Sequence, residues 1–254
     1  MSPTSTKELK LYEKEKIDES DNSSSMSLSI HLNELRNKII FSLIALGIAS
    51  VISFSSSKEI VRLLTNIAPQ GTAFLQIKPG EFFFTSLRVA LFCGLGIASP
   101  IIIWQLGSFI LPGLTTKEKK ATIPILSFAP VLFAVGGVFA YYFVAPSMLK
   151  FLFGFGAGVI PSSISIESFI SFTLMIMAIC GFTFLLPVVI FALANVGIVD
   201  SKILITKWRH AILLSLILGA ILTPTPDPFN MGLVSGVLVA LYFLSWGILK
   251  MIGK

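Results

Sequence analysis

Charge is what this sequence lacks. Of 254 residues, 13% are Asp, Glu, Lys or Arg, while 54% are hydrophobic. Soluble globular chains are usually about a quarter charged. Half that share at this hydrophobicity excludes an ordinary soluble domain and implies a polytopic membrane protein. Histidine is scarce too, with only His31 and His210. There is no His-Glu-x-x-His, no Gly-x-Ser-x-Gly and no Gly-rich phosphate loop ending in Lys, so an enzyme is not expected. The apolar runs do not supply the three or four convergent ligands of a metal site, and no cofactor is expected. Cys93 and Cys180 both lie inside apolar runs, where a thiol reads as a small apolar filler. The net charge of +6 does not imply nucleic acid, because the basic residues sit at span ends, where membrane topology explains them.

What is present is a set of long apolar runs. Residues 1–27 are polar and read as a disordered tail without the apolar core of a secretory signal; Met26 offers a second possible start. Residues 28–254 read as one membrane domain with six spans, near 37–54, 83–110, 122–145, 168–194, 208–222 and 231–249. A span needs about 20 apolar residues, so the fifth is short. The expected fold is therefore all-α. Pro100, Pro124, Pro130 and Pro187 fall within spans and predict kinks, which make a concave bundle. The linker 55–81 carries an amphipathic turn or two, then Pro69 and Pro79-Gly80, and reads as a structured surface loop. Residues 146–167 read as a second interfacial element. Fourteen of the nineteen Lys and Arg fall on the side of the two termini, and four fall opposite. Positive residues stay on the side of synthesis, which places both termini in the cytoplasm or stroma.

The most informative stretch is His31-Leu32-Asn33-Glu34-Leu35-Arg36, just ahead of the first apolar run. Glu34 is the only acid between Asp21 and Glu59. Glu118, after the second span, falls on the same side. Both have basic neighbours, and each taken alone reads first as a solvated counter-ion to them. Together, two carboxylates suit a pair of guanidiniums, whose planar forks they accept bidentately. Arg88, two turns into the second span, either faces the bundle or reaches back to the interface. Glu81, seven residues earlier, is its plausible partner. Asp227 sits in a Pro-flanked turn and reads as a residue bonding its own backbone. Tyr141, in span three, needs a hydrogen-bond partner if buried.

The chain resembles the TatC family, the polytopic core of the twin-arginine protein translocase. The matching residues are His31 to Arg36, Ser99-Pro100 leading to Trp104-Gln105, Phe109 through Pro112 to Glu118, and Phe139 with Tyr141-Tyr142. Pro187 and the run from Leu222 through Pro224 to Asp227 complete the set, in order over residues 30–252. The resemblance implies a six-helix bundle that reads the paired arginines of signal peptides and helps move folded proteins across the membrane, driven by the proton gradient. It implies that Glu34 and Glu118 contact the arginine pair, with His31 and Arg36 beside them. It implies that Phe109 and Tyr141 line the adjoining signal-peptide surface, and that Asp227 is functionally sensitive at the opposite face. Implied partners are twin-arginine precursors, single-span TatA- and TatB-type subunits, the bilayer, and further copies of the chain. Two positions depart from the family pattern: Leu185 and Met231 stand where polar residues are common. The wording from Phe74 to Phe82 and the pair Tyr141-Tyr142 resemble the cyanobacterial and plastid branch. A thylakoid membrane of a plastid is then expected, or otherwise a cyanobacterial membrane.

The alternative is a small-solute secondary transporter, which needs polar groups converging near the midplane on broken helices. The spans here are almost free of charge at that depth, which disfavours it. An inert membrane scaffold, a third reading, would leave Glu34 and Glu118 dispensable.

Overall fold

The computed structural model describes residues 32–110, 115–156, 163–195, 197–223 and 227–252, with the backbone alone at 110, 116–118, 121 and 252. The tail expected over 1–27, and His31, lie outside the described residues. Helix α1 runs Leu32–Ser55. It is followed by α2 Ser57–Thr65, α3 Glu81–Ile110, α4 Thr116–Phe139, α5 Ala145–Phe155, α6 Ile166–Thr183, α7 Leu186–Asn195, α8 Ser201–Thr206, α9 Trp208–Leu222 and α10 Pro228–Ile252. Two three-residue strands, β1 Ala73–Leu75 and β2 Ser163–Ser165, pair in parallel, with Ala73 opposite Ser163.

Among the described residues, five helical runs are long and apolar enough to cross a membrane: Leu32–Ser55, Glu81–Phe109, Thr122–Phe155, Ile166–Asn195 and Pro228–Met251. Helix α9 is the short sixth, at 15 residues. The runs match the six expected apolar stretches, but the third reaches Phe155 rather than 145. No breaker stops it. Pro146 falls at the start of α5, where its missing N–H costs nothing, and a π-helical turn, Ala140–Val144, absorbs the change of register just before it. Helices α3 and α4 continue through Pro100, Pro124 and Pro130. The fourth run is interrupted at Phe184 and Leu185, and Pro187 falls in the first turn of α7, where its missing N–H costs no intrahelical bond.

Close approaches pin the helices together. A Cβ at Gly94 would lie 2.8 Å from the backbone of Ser50, so α1 and α3 touch main chain to main chain. A Cβ at Gly136 would lie 2.6 Å from the carbonyl of Cys180, fixing α4 on α6 in the same way. Gly219 meets Ser235 where α9 crosses α10. These contacts run antiparallel, so the bundle has two distinct ends. The basic end holds the start of α1, the end of α3, the start of α4, helix α8 and the last turn of α10. The sheet end holds α2, β1, β2 and the end of α5.

The sheet end is tightly bonded. Val61 and Leu64 of α2 are buried against Val89, Leu149, Phe169 and Ile170, and Phe74 of β1 meets the Phe169 ring edge-on at 5.0 Å. The linker is a structured element, as its prolines and amphipathic turn imply. Gly80 holds a φ of +76°, a conformation that glycine adopts without strain, and this turns the chain into α3. Glu81, 2% exposed, accepts the backbone N–H of Ile77 and Lys78 at 2.7 and 3.0 Å. Its other oxygen accepts the Ser165 hydroxyl and the Glu167 N–H. Arg88 does not pair with Glu81, contrary to the sequence expectation. Its guanidinium meets Glu167 of α6 at 2.7 Å and donates to Ser171 at 2.6 Å. The reason is that Glu81 is consumed by four donors of its own, while Glu167, on the facing helix, is left for Arg88.

Candidate functional site

At the basic end the first turns of α1 carry the predicted residues. Glu34 forms an ion pair with Lys38 one turn later, at 2.6 Å. The Lys38 ammonium also lies 5.8 Å from the centre of the Phe109 ring on α3, within cation–π range. Glu34 and Phe109 therefore share one neighbour, and the structure brings them to one place. The Glu34 side chain is 42% exposed and that of Lys38 only 17%. The carboxylate faces outward, and the lysine lies over the helix surface. Arg36, on the intervening turn, is exposed.

Behind this pair α1 and α3 leave an apolar groove of about 220 Å³. Leu35, Ile39, Leu43, Ile102, Leu106 and Phe109 line it, with Gln105 among few polar groups. A larger hollow of about 530 Å³ lies alongside, where Pro100 and Trp104 of α3 face Leu126 and Pro130 of α4. Sequence reasoning did not anticipate either hollow, since both depend on how two helices cross. The signal that existed was the match of Pro100, Trp104, Gln105 and Phe109 at near-helical spacing.

Glu118 lies on the first turn of α4. Helix α3 ends at Ile110, and α4 starts at Thr116 and packs back along α3, so the Glu118 backbone falls at the basic end, the end that also holds Glu34. Tyr141 is elsewhere. The 24 residues of α4 rise roughly 36 Å before it, and its hydroxyl donates to the Leu63 carbonyl of α2 at 2.9 Å. It belongs to the sheet end, far from Glu34 and Phe109. Asp227 is also at the sheet end, where it caps α10. Its carboxylate accepts the N–H of Asn230 at 2.9 Å and the Asn230 side-chain amide at 2.6 Å.

Leu185 falls in the turn between α6 and α7. The carbonyl of Met231 accepts the Ser235 hydroxyl at 2.7 Å beside Gly219. Both positions are thus built into helix joints by their backbones.

Fold and site together define a polytopic helical membrane subunit with a charged, groove-backed face at one end. Residues 30–236 match the model of the TatC family, described as Sec-independent protein translocase protein. A Sec-independent protein translocase protein TatC of Synechocystis is 40% identical over 94% of this chain and 93% of its own length. A chloroplastic relative from rice is 38% identical over 90% of this chain, which spans 64% of the rice protein. A crystal structure of a twin-arginine translocase receptor, TatC, superposes with a TM-score of 0.74 at 32% identity, over 86% of this chain and 99% of that one. The chain belongs to the TatC family. It is a core subunit of the Sec-independent, twin-arginine protein translocase, which works with other subunits, and an integral multi-pass protein of the thylakoid or plastid membrane kind.

Proposed function

We propose that the basic end reads the paired arginines of a signal peptide through Glu34 and Glu118. The observation that carries this reading is the place of Glu34: a carboxylate 42% exposed at the basic end, paired with Lys38 above an apolar groove. An exposed pair one helical turn apart is worth about 0.3–0.5 kcal/mol. A guanidinium offering two parallel hydrogen bonds makes the stronger, bidentate contact with a carboxylate. Lys38 then has the Phe109 ring to rest on. The apolar residues that follow the arginines fit the groove between α1 and α3. Arg36 lies on the same turn of chain and adds positive charge, and His31 precedes it in sequence, while Tyr141 supports the sheet-end frame further along the membrane depth.

The partners are twin-arginine precursors arriving from the cytoplasm or stroma, single-span TatA- and TatB-type subunits, and further copies of this chain. Transport of the folded cargo draws on the proton gradient. Asp227, as the cap of α10, holds the joint of α9 and α10 on the far side. The test is crosslinking of the chain by a twin-arginine precursor that carries a photo-reactive group beside its arginine pair. Glu34→Gln and Glu118→Gln each lower crosslinking while the protein still inserts. Undiminished crosslinking in the double variant overturns the reading.

A further inference from the structure

A third cavity, of about 320 Å³, opens at the sheet end where α1 ends, α2 begins and α3 begins. Its wall combines three kinds of group. Ser57 and Ser86 are 3% and 4% exposed, and both line the cavity. Buried span hydroxyls here commonly bond a carbonyl of their own helix, as Ser53 does to Ala49 and Thr85 to Glu81. The hydroxyls of Ser57 and Ser86 have no such partner among the described residues. Lys58 is exposed at the rim and has no ion pair among the described residues. The third group is apolar: Phe54, Phe82 and Phe83 are 38%, 37% and 55% exposed, with Phe54 and Phe83 edge-on at 6.0 Å.

We propose that this cavity binds the anionic headgroup of a membrane lipid, with Lys58, Ser57 and Ser86 as its ligands. A cation and two unpaired hydroxyl donors recognise an anionic oxygen cluster. A free anion would need only those polar groups. The three phenylalanines lie where α1 and α3 enter their apolar spans, so they meet the acyl chains of the same molecule. An amphipathic ligand is the one that uses both halves of the wall. A basic residue near the surface contributes to anionic-lipid affinity on a scale of about fivefold.

The full chain, purified in a neutral detergent, is titrated with phosphatidylglycerol and with phosphatidylcholine, and bound lipid is counted by native mass spectrometry. Phosphatidylglycerol is retained about fivefold better than phosphatidylcholine. Lys58→Gln removes that preference, Ser86→Ala weakens it, and Lys150→Gln, an exposed cation on the neighbouring α5, leaves it intact. Unfolding temperatures without lipid show that the variants remain folded. Equal preference in Lys58→Gln and the parent overturns the site. Displacement of the lipid by millimolar inorganic phosphate alone identifies a free-anion pocket and overturns the lipid assignment.

Discussion

Lys38 decides how Glu34 behaves before any cargo arrives. The ammonium sits between a carboxylate 2.6 Å away and an aromatic face 5.8 Å away, so it has two resting places at similar cost. Its pairing with Glu34 is that of an i,i+4 helix pair, about 0.3–0.5 kcal/mol. An incoming guanidinium competes with Lys38 for the same carboxylate. Removing the competitor by Lys38→Gln is expected to tighten binding of a fluorescent twin-arginine peptide about twofold, the equivalent of that energy. Titration by fluorescence anisotropy measures it. Weaker binding in the variant would mean instead that Lys38 is part of the grip. At this scale the sequence was a good guide to Glu34, whose isolation from other acids singled it out. It misjudged Arg88, because periodicity along one helix carries no knowledge of Glu167 on another.

Helix α3 begins on Glu81, and that single side chain joins two elements far apart in sequence. One carboxylate oxygen takes the N–H groups of Ile77 and Lys78, and the other takes Ser165 and the Glu167 N–H. All four are donors, so only a group that accepts at both oxygens fits. Glu81→Gln puts an amide NH2 against one pair of donors and is therefore not a conservative change. The expected result is that β1 and β2 separate more often. Amide hydrogen exchange at Ala73 to Leu75 should rise about tenfold, the scale of losing a charge-assisted pair of hydrogen bonds. Exchange in α10, which Glu81 does not touch, serves as the internal control. Unchanged exchange in the strands would show that side-chain packing of Phe74 on Phe169 suffices. The five long runs and the short sixth were legible as apolar stretches with proline and glycine punctuation. The two strands were not. Three residues each, they form only because Glu81 and the buried face of α2 bring distant loops together. The π-helical turn at Tyr141 escaped notice for a related reason: its cue is Pro146, outside the turn itself.

The whole molecule is polarised from end to end. Its basic end gathers Arg36, Lys38, Lys119, Lys120, Lys202, Lys207, Arg209 and Lys250, several resting on aromatic rings, as Lys250 does on Trp246 at 5.2 Å and Arg209 on Trp208 at 5.7 Å. Such cation–aromatic pairs suit a membrane interface, where the ring is half in the apolar phase and the charge is in water. The sheet end has few cations, and one of them, Arg88, is tied to Glu167. That asymmetry was legible from Lys and Arg counts alone. The groove behind Glu34 was not, because it needs the crossing of α1 over α3 that Gly94 permits. Positive residues resist translocation, so the basic end should face the compartment of synthesis. In a background of Cys93→Ala and Cys180→Ala, single cysteines at Ser201 and at Thr72 report the two ends. A membrane-impermeant maleimide added outside intact thylakoid vesicles, whose outer face is the stromal one, should label Ser201→Cys and spare Thr72→Cys until the membrane is opened. The reverse pattern would put Glu34 on the side from which no precursor arrives, and would remove the basis for reading it as a receptor.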